Sequence, residues 1–235
     1  MRQIFLDTET TGLSHADGDR IIEIAAIEYD NRRETGRTLH HYINAGRSSH
    51  PDALRVHGIT DEFLADKPPF AAIAPELLEF VRGAEVIIHN AAFDVGFIDA
   101  EFARLNLPKF AQQVAKVTDS LVMAREQFPG KGNSLDALCR RLEVDNSKRD
   151  LHGALIDADL LAQVFLAMTR GQGSLVIDSG DAPRGPMAVG AQDLSAFELP
   201  VITASEAERA AHEAVLADID KSSKGKTVWR QAEPA

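Results

Sequence analysis

The sequence predicts a mixed α/β fold: a sheet with flanking helices, followed by a flexible C-terminal tail. Two observations carry this. Three apolar stretches near the N-terminus, separated by short polar Gly-containing segments, read as an antiparallel meander. From residue 85 onward, short apolar runs alternate with segments of helical period, as in strand–helix units.

Residues 2–8 read as a buried strand, Arg20–Asp30 as a second and Thr38–Asn44 as a third, with Ser14–Asp19 and Asp30–Gly36 as connections. Pro51–His57 is a helical turn stopped by Gly58, and Thr60-Asp61-Glu62 signals a helix start. In Phe70–Arg82, Ile73, Leu77, Leu78 and Val81 recur at helical spacing, and Gly83 ends the segment. Glu85–His89 reads as a short strand and Asn90 as the N-cap of a helix running to about Leu105. Lys116–Thr118 is a last strand, with Asp119 or Ser120 capping a helix to Phe128. Helices are expected over Ser134–Leu142 and Gly153–Thr169.

At Gly171 the composition changes. Residues 172–202 contain Gly and Pro without helical period and read as a linker, so the first domain is assigned to residues 1–171. Residues 203–235 recover helix-forming composition, with Ala207, Ala211, Val215 and Ile219 at i, i+4 spacing and the single tryptophan, Trp229, near the end. An amphipathic stripe with no domain around it suits a partner.

Composition excludes some classes. The lone cysteine, Cys139, rules out an intramolecular disulfide, and its spacing with Leu135, Leu138 and Leu142 puts it in a core. Without an apolar run of 18 residues or a signal-peptide pattern, a soluble cytoplasmic protein with no membrane partner is expected. The formal net charge of −11 argues against nucleic acid at first sight, but a site that holds cations through carboxylates is itself strongly negative.

The chemistry begins at Asp7-Thr8-Glu9. In a strand, residues i and i+2 share a side, so Asp7 and Glu9 sit together at a strand end. Such a pair either binds a divalent metal or caps a turn. Asp94 shares a helix face with Phe97 and Ile98, and Asp157 shares one with Leu160, Leu161, Val164 and Met168. A carboxylate on an apolar face needs a counter-charge, and no Lys or Arg falls within Gly153–Thr169. His152 lies five residues before Asp157 and suits general-base work, with His89 as a rival on spacing alone. His57 before Gly58 reads first as a helix end. Four carboxylates and a histidine suit Mg²⁺ or Mn²⁺ rather than zinc. Pairs of such ions promote displacement at phosphorus, so phosphodiester hydrolysis is the expected reaction.

Asp7-Thr8-Glu9-Thr10-Thr11-Gly12, His89-Asn90-Ala91-Ala92-Phe93-Asp94 and His152-Gly153-Ala154-Leu155-Ile156-Asp157 resemble, in order and separation, the three motifs of the DEDDh exonuclease family. Over its full length the chain is similar to the proofreading members of that family. The resemblance implies a ribonuclease H-like fold and 3′→5′ hydrolysis of DNA. It implies that Asp7, Glu9, Asp94 and Asp157 hold two Mg²⁺ or Mn²⁺ ions, with Asp7 bridging, and that His152 is the general base. Asp7, Glu9, Asp52, His57 and Asp157 would contact substrate; Asp52 stands where the family carries a glutamate. Further implied partners are single-stranded DNA 3′ ends, a polymerase catalytic (alpha) subunit at the tail, and a small accessory subunit. A sliding clamp would bind at Gln172, Leu175, Val176 and Ile177, a segment that lacks the aromatic last residue common in the family. An RNA-trimming exonuclease and a non-catalytic subunit with relic carboxylates are the competing readings. The appended tail argues against the first, and the full set of catalytic positions against the second.

Overall fold

Five strands, β1 (Arg2–Thr10), β2 (Ile21–Asp30), β3 (Arg33–Tyr42), β4 (Glu85–Ile88) and β5 (Lys116–Asp119), form one sheet in the order β3-β2-β1-β4-β5. The structure is a computed structural model that describes residues 1–147, 151–170 and 204–223. β1, β2 and β3 pair antiparallel, whereas β4 and β5 run parallel to β1. The helices of this unit are α1 (Pro51–His57), α2 (Asp61–Leu64), α3 (Phe70–Val81), α4 (Ala91–Arg104), α5 (Ser120–Gln127), α6 (Leu135–Leu142) and α7 (Ala154–Met168).

β1 is covered on both faces, which is why its lead-in is an unbroken apolar run. Ile4 and Leu6 join Leu77, Phe97, Ile98 and Phe102 in one core. Phe5, pointing the other way, joins Leu138, Cys139, Leu161, Val164 and Phe165 in a second. The same alternation separates Val86 and Ile88 from Ile87 on β4. Helices α3 and α4 thus cover one face, and α6 and α7 the other.

Most elements fall where the periodicity places them, with two corrections. β3 begins at Arg33 rather than Thr38, because the connection is a two-residue turn. Asn31 and Arg32 both have positive φ, the backbone that a tight hairpin between twisted strands requires. Asn90 occupies the N-cap position of α4 in the left-handed region, and its side chain caps nothing. Gly153, at the start of α7, likewise offers no side-chain cap.

Two glycines are required by close approach. A Cβ on Gly12 would lie 2.3 Å from Asp19 Oδ2, and one on Gly58, already at φ +69°, would lie 2.5 Å from Leu151. Both positions border the site described below.

The chain divides into two units, Met1–Ile177 and Asp178–Ala235. Within the second, α8 (Glu206–Ser223) exposes Val215 and Ile219 and buries Leu216. The expected linker, the Gln172–Ile177 segment and Trp229 lie outside the described residues. Among the described residues, no helix is long and apolar enough to cross a membrane.

Candidate active site

The carboxyl end of β1 supplies the first wall. Asp7 pairs in register with Ala25 and Glu9 with Glu23, so both carboxylates project on the Phe5 side, toward α7. Asp157, in the first turn of α7, is buried there. His152 precedes the helix with its side chain 45% exposed and Nδ1 3.4 Å from Asp157 Oδ2. Its backbone N–H donates to Val56 O at 3.1 Å, which ties the lead-in of α7 to the end of α1. Ligand atoms of Glu9, His152 and Asp157 all come within 4.8 Å of one another.

Asp94 approaches from the opposite face. It lies in the first turn of α4, 3% exposed, and its Oδ1 accepts a hydrogen bond from Thr8 Oγ1 at 2.7 Å. Thr8 has the parity of Ile4 and Leu6, so Asp94 reaches the end of β1 from the side covered by α4. Asp94 is not part of the group around Glu9. Burial pushes its pKa up to about 7, against the opposing pull of the Thr8 hydroxyl. No Lys or Arg pairs with it among the described residues. A buried carboxylate in this condition, beside further carboxylates, is what a divalent-cation site leaves when only protein groups are counted. The donor set is all oxygen plus one imidazole and therefore fits a hard cation.

The start of α4 is held by Asp119, at the end of β5. Its Oδ2 accepts from Ala91 N at 3.0 Å, while Oδ1 accepts from Leu121 N at 2.9 Å in the helix that follows. One carboxylate thus caps both α4 and α5. This explains why Asn90 is spared for the left-handed turn, a conformation that asparagine tolerates.

A cleft of about 640 Å³ opens in front of these groups, lined by Asp7, His152 and Asp157 and, on its far side, by Arg125, Lys131 and Ser134. The sequence reading missed that far side. Its signal was the Gly130-Lys131-Gly132 turn, a cation held between two glycines. Buried Asn133 braces this turn by donating to Phe128 O and Lys131 O, and Arg141 in turn donates to Asn133 Oδ1 at 3.1 Å. His89 lines the same cleft with Nδ1 2.9 Å from Ser120 Oγ.

A second, more apolar groove is lined by Gly12, Leu13, His50, Asp52 and Val56. Asp52 is exposed there and pairs with Arg55. His57 lies in the interior instead, with Nδ1 accepting from Ile59 N at 2.9 Å, and burial lowers its pKa.

The exonuclease family model matches residues 4–165, which include all three acidic motifs. DNA polymerase III subunit epsilon of Escherichia coli K12 is 51% identical over 97% of either chain. The chain belongs to the DNA polymerase III epsilon family. Exonuclease X, solved in complex with 5′ overhanging duplex DNA, has a related fold with TM-score 0.56 and 26% identity, covering 73% of this chain and 93% of that one. The nuclease domain of 3′hExo, a DEDDh member bound to rAMP, aligns with TM-score 0.60 at 16% identity over 73% of this chain and 92% of that one, a likeness of fold. As a member of the epsilon family, the chain is a metal-dependent proofreading 3′→5′ exonuclease.

Proposed function

We propose that this chain edits the 3′ ends of newly made DNA as a cytoplasmic subunit of a replicative polymerase, releasing deoxynucleoside monophosphates by two-metal hydrolysis. The observation that carries the proposal is the convergence of Glu9, His152 and Asp157 within 4.8 Å of one another, with His152 and Asp157 lining one cleft together with Asp7. Asp7, Glu9, Asp94 and Asp157 would hold two divalent cations, Mg²⁺ or Mn²⁺, with Asp7 shared. Bound there, such ions supply charge stabilisation to the scissile phosphate and the leaving oxygen.

The remaining work falls to the chain's own groups. His152 is open to solvent and takes a proton from the attacking water, with Asp157 beside Nδ1 to steady the imidazolium that forms. The 3′-terminal nucleotide lies against Asp7, Glu9 and Asp157, with Asp52 and the apolar groove of Leu13 and Val56 near its base and His57 behind. Arg125 and Lys131 neutralise phosphates further up the strand. A mismatched end is removed faster than a paired one because it costs less to unpair.

The catalytic domain is assigned to residues 1–171, a tether to 172–202 and a polymerase-binding tail to 203–235. The tail joins the catalytic (alpha) subunit of the polymerase, Gln172, Leu175, Val176 and Ile177 reach a sliding clamp, and a small accessory subunit binds the catalytic domain. A Gly/Pro-containing tether of about 30 residues reaches roughly 30 Å and raises the local concentration of the nuclease toward millimolar.

The test is incubation of the full chain with 5′-labelled single-stranded DNA, with Mg²⁺ or Mn²⁺ and with chelator. A ladder shortening from the 3′ end only with metal is expected. Internal cleavage or insensitivity to chelator would overturn the reading. Truncation after Gly171 is expected to spare this activity and abolish co-purification with the polymerase.

A further inference from the structure

Glu23 lies on β2, opposite Glu9 on one side and Tyr42 on the other. It is 2% exposed, in a region where a carboxylate needs a clear reason to be. Both its oxygens are engaged. Oε2 accepts the Ala154 N–H at 3.1 Å, and Oε1 lies 2.7 Å from His40 Nε2.

Ala154 is the first residue of α7. A helix start leaves its first N–H groups without partners inside the helix, and a Ser, Thr, Asp or Asn at the cap position ordinarily takes one of them. Gly153 occupies that position in α7 and has no side chain to offer. The acceptor comes instead from a strand 131 residues earlier in the chain. A Cβ built at Gly153 would stand 4.0 Å from Glu23 Oε2, an ordinary contact, so Glu23 passes close beside the cap position.

The consequence is geometric. His152 immediately precedes this cap, and Asp157 lies within the turn that it starts. The body of α7 is held separately, by Leu160, Leu161 and Val164 in the core. Glu23 therefore joins the first residue of α7, itself fully buried, to the sheet whose next strand carries Asp7 and Glu9.

We propose that Glu23 is a positioning residue, a long-range N-cap that, anchored by His40, sets His152 against the carboxylates of β1. The inference rests on the reading of His152 as general base.

Kinetics of Glu23→Ala, Glu23→Gln, His152→Ala and the Glu23→Ala/His152→Ala double variant test it, using the full chain and single-stranded DNA. Glu23→Ala is expected to lower kcat by about 10- to 100-fold, the scale of a small misplacement of a reacting group. Its KM for DNA and half-activating Mn²⁺ concentration should stay within about threefold, because buried Asp157 keeps its own backbone bond to Gly153 O at 2.9 Å and the helix behind it is still packed. Glu23→Gln keeps an oxygen for the Ala154 N–H and should restore kcat to within about threefold of the parent. The double variant should be no slower than His152→Ala, since both changes act through one imidazole. Glu23→Ser replaces the alanine variant if that one melts below the assay temperature.

The proposal is overturned if Glu23→Ala, or Glu23→Ser in its place, keeps kcat within about twofold of the parent. It is also overturned if Glu23→Gln is as slow as the alanine variant, or if the double variant shows multiplied losses. A slowed His152→Ala beside a full-rate Glu23→Ala sinks this inference alone, whereas a full-rate His152→Ala sinks the general-base reading and this inference with it.

Discussion

Helices α4 and α7 make the same local statement and are used differently. Each puts an aspartate in its first turn, on the face that packs against the sheet: Asp94 with Phe97 and Ile98, Asp157 with Leu160 and Leu161. Asp157 comes to rest beside Glu9 and His152, whereas Asp94 reaches the end of β1 from the α4 side and accepts from Thr8 Oγ1. The two approach one strand from opposite sides. A carboxylate on an apolar helix face is thus a sign of a site, but it does not say which wall of the site it builds.

The comparison is broken most sharply at the histidine that accompanies Asp157, whose counterpart in spacing, His89, lies 2.9 Å from Ser120 Oγ. His152→Ala is expected to lower kcat by about 10²–10⁴-fold while leaving Mn²⁺ and DNA binding nearly unchanged, as measured by single-turnover kinetics and titration. Asp157→Ala should instead weaken metal binding itself, visible as a higher half-activating Mn²⁺ concentration.

A second contrast concerns stability in chelator. Asp94 has a folded pKa of about 7 against an ordinary value of 3.8, so between these values the folded state binds more protons than the unfolded one. Its protonated form is fully retained below pH 4, and stability is lost as pH rises through 7, by at most about 4 kcal/mol. Thermal melts of the chelated protein should therefore show a lower Tm at pH 8 than at pH 5.5. Asp94→Asn should remove much of that pH dependence and raise the Tm at pH 8 even as activity falls. Added Mn²⁺ should raise the Tm of the parent more at pH 8 than at pH 5.5, because a cation replaces the proton.

The smallest effect belongs to the far side of the cleft. Arg125→Gln and Lys131→Gln are expected to raise KM for single-stranded DNA a few-fold each without changing kcat. Each should reduce the slope of log affinity against log salt by about 0.7, the value for one single-strand phosphate contact. Unchanged salt dependence in both variants would remove this wall from the DNA path.

Much of this was legible in the chain itself. The unbroken apolar run Ile4-Phe5-Leu6 announced a buried strand, and the placing of Asp7 and Glu9 on one side follows from the two-residue period alone. The helix starts at Thr60, at Asp119 or Ser120, and near Ser134 were readable because the capping side chains there bond within three residues of themselves. The faces of Asp94 and Asp157, and the position of His152 before a helix, needed only the helical period. What period and propensity report is the conformation of one element at a time.

Only the tertiary structure decided how these elements meet. Nothing local says that Asp119 serves two helices, that Glu23 caps α7 from β2, or that Asn90 leaves its cap empty. Nothing local separates Asp94 from Asp157, or sends Asp52 to an open groove and His57 five residues later into the interior. Those outcomes depend on strand register, on which sheet face a helix covers, and on hydrogen bonds between residues up to 131 positions apart. Contacts of that range carry no period in the sequence, since each partner satisfies its own element's rules wherever the other one stands.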